Sequence, residues 1–154
     1  MIDTSIAQQV HCTGGFDLPC GVDEAFPLFS PEGERAWAPG WNPKAVFPET
    51  IAFAPNTIFR QGEGVDEAVW TILQVDSGEH KAEYFRVAPA SHTARISVNV
   101  EAIGPDRSHV EVSYDVTGFG PDGEHALEGF SERAYGERMR DWQRRISACI
   151  AACK

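Results

Sequence analysis

The sequence predicts an α+β fold in which a curved antiparallel sheet of about seven strands is covered on one face by a long C-terminal helix. Apolar and polar residues alternate with a period of two through the middle of the chain, as they do in strands with one buried face. The last thirty residues contain no proline and carry a helical stripe of apolar residues. A chain of 154 residues is long enough for one hydrophobic core, so we expect a single domain over residues 1–154.

The first fifth of the chain predicts one strand and two short helices. Residues 6–16 alternate between apolar and polar side chains and predict a half-buried strand. Residues 22–29 predict a short helix, since Asp23 and Glu24 stand where a helix N-terminus favours acidic side chains. A second short helix should start at Ser30 and Pro31, because serine can cap it and proline suits the first helical position.

Six more strands are expected before the last helix. The final two alternate most clearly, and this pattern is typical of an antiparallel sheet with one face in the core and the other in water. The predicted strands span residues 45–47, 57–61, 67–75, 81–88, 93–103 and 109–119. Together with the first strand they make about seven.

Residues 124–152 predict one continuous helix whose two halves differ in character. The apolar stripe of its second half contains Trp142, Ile146, Cys149 and Cys153. When this stripe is projected back along the helix at about 100° per residue, the same sector of the first half contains Glu128, Ser131 and Tyr135. A buried polar group without a partner costs about 1 to 3 kcal/mol, so these three side chains predict a partly polar cavity. The alternative is a bend near Gly136 that turns them to solvent.

A single helix cannot fill the hollow of a curved sheet from end to end, so we expect an internal cavity closed at one end by the short helices. Aromatic side chains are the candidate walls, and Arg86 shares its strand face with one of them, Tyr84. The sequence leaves open whether this pair or Phe85 and Val87 points inward. If Arg86 points inward, it is a candidate anchor for a carboxylate or a phenolate. The candidate aromatic walls are Trp37, Trp41, Phe59, Trp70 and Tyr84.

Several short segments resemble a known superfamily along nearly the whole chain. The most specific are FPLFSPEGER at 26–35 and WAPGW at 37–41. Weaker matches are Trp70, YFRV at 84–87 with Pro89, VSY at 112–114, and Trp142 with Gln143. In these segments the chain resembles a bacterial subgroup of the START-like, or SRPBCC, superfamily, which includes the birch pollen allergen. This resemblance implies the helix-grip fold, with a hydrophobic ligand cavity, and implies no universal catalytic residues.

Charge and composition exclude several kinds of partner. The net charge of -10 argues against nucleic acid and against an anionic membrane, because both would be repelled. The N-terminus has no signal-peptide pattern and no segment could span a bilayer, so we expect a cytoplasmic protein. The four cysteines should then be reduced, and their spacing indicates no metal site. We expect no cofactor.

The segment 118–123 spells G-x-G-x-x-G but does not predict a dinucleotide site. That site needs a second parallel strand after the helix, whereas here the chain ends with the helix. Pro121 also removes an amide that could bind phosphate. We expect a loop over the mouth of the cavity instead.

These observations lead to one functional hypothesis and two alternatives. The first is binding of a small apolar or amphipathic molecule by a monomer or homodimer. The second is an enzyme of the polyketide cyclase, dehydratase or hydrolase type that uses Glu128, Tyr135 or Arg86 as an acid–base or oxyanion group. The third is an interaction module like the activators of Hsp90, which the polar outward residues of the last two strands disfavour.

Overall fold

The computed structural model describes residues 7–154, which form a seven-stranded antiparallel sheet in the order β1-β7-β6-β5-β4-β3-β2. The strands are β1 Gln8–Leu18, β2 Lys44–Phe47, β3 Ile58–Gln61, β4 Ala68–Asp76, β5 Lys81–Ala88, β6 His92–Gly104 and β7 Arg107–Gly118. The predicted strands are therefore confirmed, with ends that differ by one or two residues. Ile6, the first residue of the predicted opening strand, lies outside the described residues.

Alternation places one face of the sheet in the core. On β6 the buried residues are Ala94, Ile96, Val98 and Val100, and on β7 Val110, Val112, Tyr114 and Val116. The register shifts within three strand pairs, and such bulges increase the local twist of a sheet. The result is the curved sheet that the sequence predicts.

Between β1 and β2 the chain forms helix α1, Val22–Ala25, followed by two single 3₁₀ turns at Phe26–Phe29 and Gly33–Ala36. Ser30 joins the two turns as a cap: its Oγ accepts a hydrogen bond from the N–H of Gly33 at 2.9 Å. The hydroxyl also donates to the carbonyl of Pro27. Glycine is required at position 33, because an added Cβ would lie 1.9 Å from the carbonyl oxygen of Pro27.

The prediction of one continuous helix over residues 124–152 is wrong. Helix α2, Gly123–Glu128, ends at Gly129, and helix α3, Glu132–Ala152, begins after Ser131. The side chain of Ser131 caps α3 by accepting from the N–H of Ala134 at 3.2 Å. Between the helices Phe130 turns into the core and packs on Tyr114 with a centroid distance of 5.2 Å. Burial of this ring explains the interruption, since a continuous helix does not bring it to the sheet.

Two hydrogen bonds hold the interruption in place. The Cys12 thiol donates to the carbonyl of Phe130 at 3.0 Å, and Nη2 of Arg138 donates to the carbonyl of Gly129 at 3.1 Å. Burial raises the pKa of the Cys12 thiol. Peptide groups at the end of α2 thus gain side-chain partners from both β1 and α3.

Helix α3 packs on the sheet along β1. Its buried residues are Tyr135, Met139, Ile146 and Ile150, whereas Trp142 and Cys149 are half-buried and Cys153 is exposed. The predicted stripe is therefore confirmed in the middle of the helix and wrong at its last turn. The helix approaches β1 so closely that a Cβ on Gly14 would lie 3.0 Å from side-chain atoms of both Met139 and Tyr135.

The glycines of segment 118–123 serve packing between β7 and α2. A Cβ on Gly118 would lie 2.6 Å from the carbonyl oxygen of Gly123, which is the first residue of α2. Gly120 has a φ of +67°, a conformation that favours glycine. The close turn explains the G-x-G-x-x-G spacing without a nucleotide.

The outer face of the sheet is polar at one side and apolar at the other. On β6 and β7 it carries Arg95, Asn99, Glu111 and Asp115, as predicted. On β4, however, Val69 and Leu73 are exposed, and Val69 pairs with Val87 on β5. The polarity predicted for the outer face therefore holds for only part of it.

We expect Ser131→Ala to lower the free energy of unfolding by about 1 kcal/mol, because α3 loses its side-chain cap. A urea titration measures this change. Ser131→Asp retains an acceptor at the same position and should unfold close to the wild-type midpoint. Equal destabilisation by both variants would contradict the capping role.

Two glycine variants should change stability in opposite directions. Gly33→Ala forces a Cβ against the Pro27 carbonyl and should lower the free energy of unfolding by about 3 kcal/mol. Gly136→Ala lies inside α3, where the nearest atom to its Cβ is the flexible end of Arg140 at 3.4 Å. It should raise stability by about 0.5 to 1 kcal/mol through helix propensity. A thermal melt of each variant tests both signs.

Candidate ligand site between the sheet and the C-terminal helix

A small, partly open cavity lies between the concave face of the sheet, the second 3₁₀ turn and α3, in place of the larger internal cavity expected from the sequence. Its volume is about 20 Å³, which is enough for one water molecule. The lining is mostly aromatic, with a single acidic side chain. The lining residues are Pro31, Glu34, Trp41, Phe59, Trp70, Tyr84, Ile96, Val98, Tyr114 and Trp142.

Four of the five aromatic walls expected from the sequence line this cavity, and the fifth supports it. Phe59 and Trp70 stack with centroids 5.7 Å apart, and Trp41 meets both rings edge-on at 5.9 and 5.3 Å. Trp37 packs against Trp142 at 5.3 Å and donates its indole N–H to the carbonyl of Leu28. These aromatic walls thus connect three strands, β3, β4 and β5, with the loop after the short helices and with α3.

Of two buried polar groups on the cavity wall, one has a hydrogen-bond partner and the other has none. The Tyr84 hydroxyl donates to the carbonyl of Phe29 at 2.5 Å, and burial raises its pKa well above the usual value of a tyrosine. Nε1 of Trp70 is buried and has no hydrogen-bond partner among residues 7–154. A buried donor without a partner costs about 1 to 3 kcal/mol, so an unpartnered N–H on a residue of the cavity wall calls for an explanation.

Glu34 is the acidic side chain of the cavity and was not predicted as a site residue. It lies in the second 3₁₀ turn, Gly33–Ala36. The residue as a whole is half-buried. Burial nevertheless raises the pKa of the carboxyl group well above the usual value of a glutamate, and the positive charge of Arg86 opposes this shift in part. The carboxyl group therefore favours its protonated form more than a surface glutamate does.

The structure decides which face of β5 lies inside. Tyr84 and Arg86 point inward, and the guanidinium of Arg86 lies 5.2 Å from the Trp70 ring centroid and 5.6 Å from that of Tyr114. Nε of Arg86 donates to Nε2 of His92 at 3.2 Å. Burial lowers the pKa of Arg86, although an arginine remains charged near neutral pH.

His92 and Arg138 lie near Arg86 and form a polar cluster with it beside the ring of Tyr114. Burial, followed by the charges of Arg86 and Arg138, lowers the pKa of His92 to about 4. His92 is therefore neutral near pH 7, and its Nδ1 lies 2.7 Å from the Ser91 hydroxyl. The Arg138 guanidinium lies 4.3 Å from the Phe130 ring centroid and 5.6 Å from that of Tyr114.

Tyr135 lies elsewhere, in an open cleft of about 630 Å³ between β1 and α3. Its ring is buried against Tyr114, and its hydroxyl donates to the carbonyl of Val112. Burial raises the pKa of Tyr135. The aromatic cavity and this cleft are separate sets of residues, so Tyr135 does not line the cavity with Trp70 and Tyr84.

The expectation that Glu128 and Ser131 face the interior is wrong. The Glu128 side chain is 70% exposed and pairs with His125 at 3.2 Å, and Ser131 is exposed at the start of α3. The physical reason is the interruption at Gly129–Ser131, which breaks the helical register on which the projection depended. Glu128 therefore cannot act on a molecule in the cavity.

Tyr114, Trp142, Ile96 and Val98 line the cavity but were expected only to be core residues. Their inward positions follow from the alternation of β6 and β7 and from the stripe of α3, so their burial was predictable and their role as cavity walls was not. Glu34 gave no sequence signal, because a single 3₁₀ turn has no period that reveals its inward face.

Other kinds of site find no support in the described part of the chain. Residues 7–154 contain no group of three histidine, cysteine or acidic side chains that could hold a metal ion. Within the same range no helix is long and apolar enough to cross a membrane.

Comparison with known proteins rests on structure, since no protein-family model and no curated protein sequence matches this chain. Norcoclaurine synthase from Thalictrum flavum, solved with dopamine and hydroxybenzaldehyde, superposes with a TM-score of 0.66 at 14% identity, covering 96% of this chain and 90% of that chain. A START superfamily protein from Mycobacterium smegmatis superposes with a TM-score of 0.65 at 10% identity, covering 94% and 99%. An uncharacterised protein from Bacillus thuringiensis gives 0.65 at 16% identity, covering 88% and 97%.

At these low sequence identities, the structural similarity establishes the fold but not a function or a ligand. The element order and the sheet topology agree with what the sequence segments implied. The chain has the helix-grip fold of the START-like superfamily.

Proposed function

We propose that the protein binds a small aromatic or amphipathic molecule between the sheet and α3, at the cavity lined by Trp41, Phe59, Trp70 and Tyr84. The observation that carries this proposal is the unpartnered indole N–H of Trp70 among stacked aromatic rings. A dry core gains nothing from such a donor, whereas a ligand acceptor satisfies it. Structural neighbours of the same fold include a protein solved with two aromatic compounds, which supports a ligand of this class.

Binding requires the cavity to expand, because about 20 Å³ holds only one water molecule. Trp41 is the wall suited to move, since it is half-buried in the loop between the second 3₁₀ turn and β2. Its anchor is a hydrogen bond from the indole N–H to the carbonyl of Pro31 at 2.8 Å. The proposed ligand therefore selects a conformation in which this ring has moved outward.

Titration with benzamide and with 2-naphthamide, both neutral, tests the proposal. We expect saturable quenching of tryptophan fluorescence, because three tryptophans form the walls. Native mass spectrometry of the purified protein should also detect a co-purified small molecule. Absence of saturation with both amides, together with no co-purified compound, would contradict the proposal.

Two matched variants locate the binding site. Ile96→Phe adds volume at a buried residue of the cavity wall and should weaken binding of 2-naphthamide at least tenfold, at a cost in stability of about 1 to 3 kcal/mol. Ser97→Phe adds an aromatic ring at the next residue, on the opposite face of β6, and should leave binding unchanged. Equal weakening by both variants would place the binding site elsewhere.

A second candidate function is acid–base catalysis on a molecule held in the same cavity. The observation that favours it is Glu34, whose raised pKa suits a proton donor and which shares the cavity wall with Tyr84. Arg86 lies close enough to affect the charge of Glu34 and could stabilise an oxyanion. Two titratable side chains on the cavity wall, Glu34 and Tyr84, with Arg86 nearby, fit an enzyme of the cyclase, dehydratase or hydrolase type.

The raised pKa of Glu34 predicts a pH-dependent effect of Glu34→Gln. The folded protein binds this proton more tightly than the unfolded chain, so ionisation of Glu34 reduces stability as pH rises above about 4.3, the usual pKa of glutamate. The neutral glutamine avoids that loss. Urea titrations between pH 4 and 8 should show Glu34→Gln gaining stability over wild type as pH increases.

Glu32→Gln is the control, because it removes a carboxylate that is exposed and paired with Arg35 at 2.9 Å. It changes the net charge by the same amount outside the cavity. If the stability difference between Glu34→Gln and wild type does not grow with pH, Glu34 is an ordinary carboxylate and the catalytic candidate loses its support.

A further inference from the structure

We propose that the ligand carries a carboxylate and that Arg86 and Arg138 bind it at the end of the aromatic cavity formed by Trp70 and Tyr114. This inference rests on the proposed function and adds the chemical class of the ligand. It assigns an anion site to two arginines that form no ion pair with a carboxylate of residues 7–154.

The two arginines differ from most of the other arginines in their partners. Seven arginines of residues 7–154 form ion pairs with carboxylates: Arg35, Arg60, Arg95, Arg107, Arg133, Arg144 and Arg145. The other three, Arg86, Arg138 and Arg140, form no ion pair within this range, and of these Arg140 is exposed to solvent. Glu34 is the acidic side chain that acts on Arg86, and the raised pKa of its carboxyl group favours the neutral, protonated form.

Aromatic rings hold both guanidinium groups in place. Each lies 5.6 Å from the centroid of the Tyr114 ring, with Trp70 beside Arg86 and Phe130 beside Arg138. Cation–π contacts are attractive but do not neutralise the charge. A guanidinium has five N–H groups, and each of these two arginines has one hydrogen bond to His92 or to the Gly129 carbonyl, so further N–H groups remain for the bidentate geometry in which arginine binds a carboxylate.

The neighbouring groups leave this charge uncompensated. His92 accepts a hydrogen bond from Arg86 and is neutral, so it orients the guanidinium without pairing with it. The Gly129 carbonyl accepts from Arg138 and likewise carries no net charge. Arg86 and Arg138 therefore place two positive charges beside the Trp70 and Tyr114 rings of the cavity wall, in a protein whose net charge is -10. Two like charges in a partly buried site repel each other, and a ligand carboxylate bound by both reduces that repulsion.

Pairs of isosteric probes test the inference: benzoate against benzamide, and 2-naphthoate against 2-naphthamide. Members of a pair share size and shape and differ in charge. We expect each carboxylate to bind at least tenfold more tightly than its amide at pH 7, measured by tryptophan fluorescence or calorimetry. Thermal melts should show the same order, with the larger rise in melting temperature for the carboxylate.

Three variants assign the effect to the interior charges. Arg86→Met and Arg138→Met should each reduce the preference for carboxylate over amide at least fivefold while the amide still binds. Arg95→Met removes an equal charge from the outer face of β6, where the side chain pairs with Glu83 at 3.0 Å, and should keep the full preference. Arg86→Met should also melt no lower than wild type without ligand, since it removes an unpaired charge.

The outcomes separate the two proposals. If neither member of any probe pair binds, the proposed function is wrong, and the anion site fails with it. If amide and carboxylate bind equally, the cavity binds ligands and the carboxylate site is wrong. If Arg86→Met unfolds the protein or abolishes binding of the amide too, Arg86 is structural and the inference is overturned. Loss of the preference in Arg86→Met and Arg138→Met, but not in Arg95→Met, supports it.

Discussion

The hydrogen bond from Tyr84 to the carbonyl of Phe29 decides which side chains share the interior. It ties β5 to the 3₁₀ turn that follows α1, and Tyr84 can reach that turn only from the concave face of the sheet. Because side chains of a strand alternate, Arg86 must then point inward as well. The stacking of Arg86 beside Trp70 and Tyr114 and its contact with His92 all follow from this one orientation.

Much of the fold was predictable because burial imposes a period on strands and on a long helix. The alternation of β6 and β7 predicted their inward faces, including Val98 and Val112. The interruption between α2 and α3 was missed because a helical projection assumes one register throughout. Gly129 and Ser131 were nevertheless present as a stop and a start signal on either side of Phe130.

The candidate site was less predictable, because it depends on contacts between residues far apart in sequence. Trp41, Phe59, Trp70 and Tyr84 were identified as walls from their aromatic character. Glu34 and Arg138 enter the interior only because the second 3₁₀ turn and α3 are packed against the sheet. Glu34 lies in no period that marks an inward face, and Arg138 lies only at the edge of the helical sector that contains Tyr135 and Trp142, so tertiary structure is needed to bring them to Arg86 and Tyr114.

The thiol of Cys12 has a consequence for how motion near α2 can be observed. The thiol is buried and donates a hydrogen bond to the carbonyl of Phe130, and burial raises its pKa. A thiol in this state reacts slowly with alkylating reagents, because the reactive form is the exposed thiolate. Movement of the Gly129–Ser131 segment away from β1 breaks this hydrogen bond, so the rate of alkylation of Cys12 should increase with such movement.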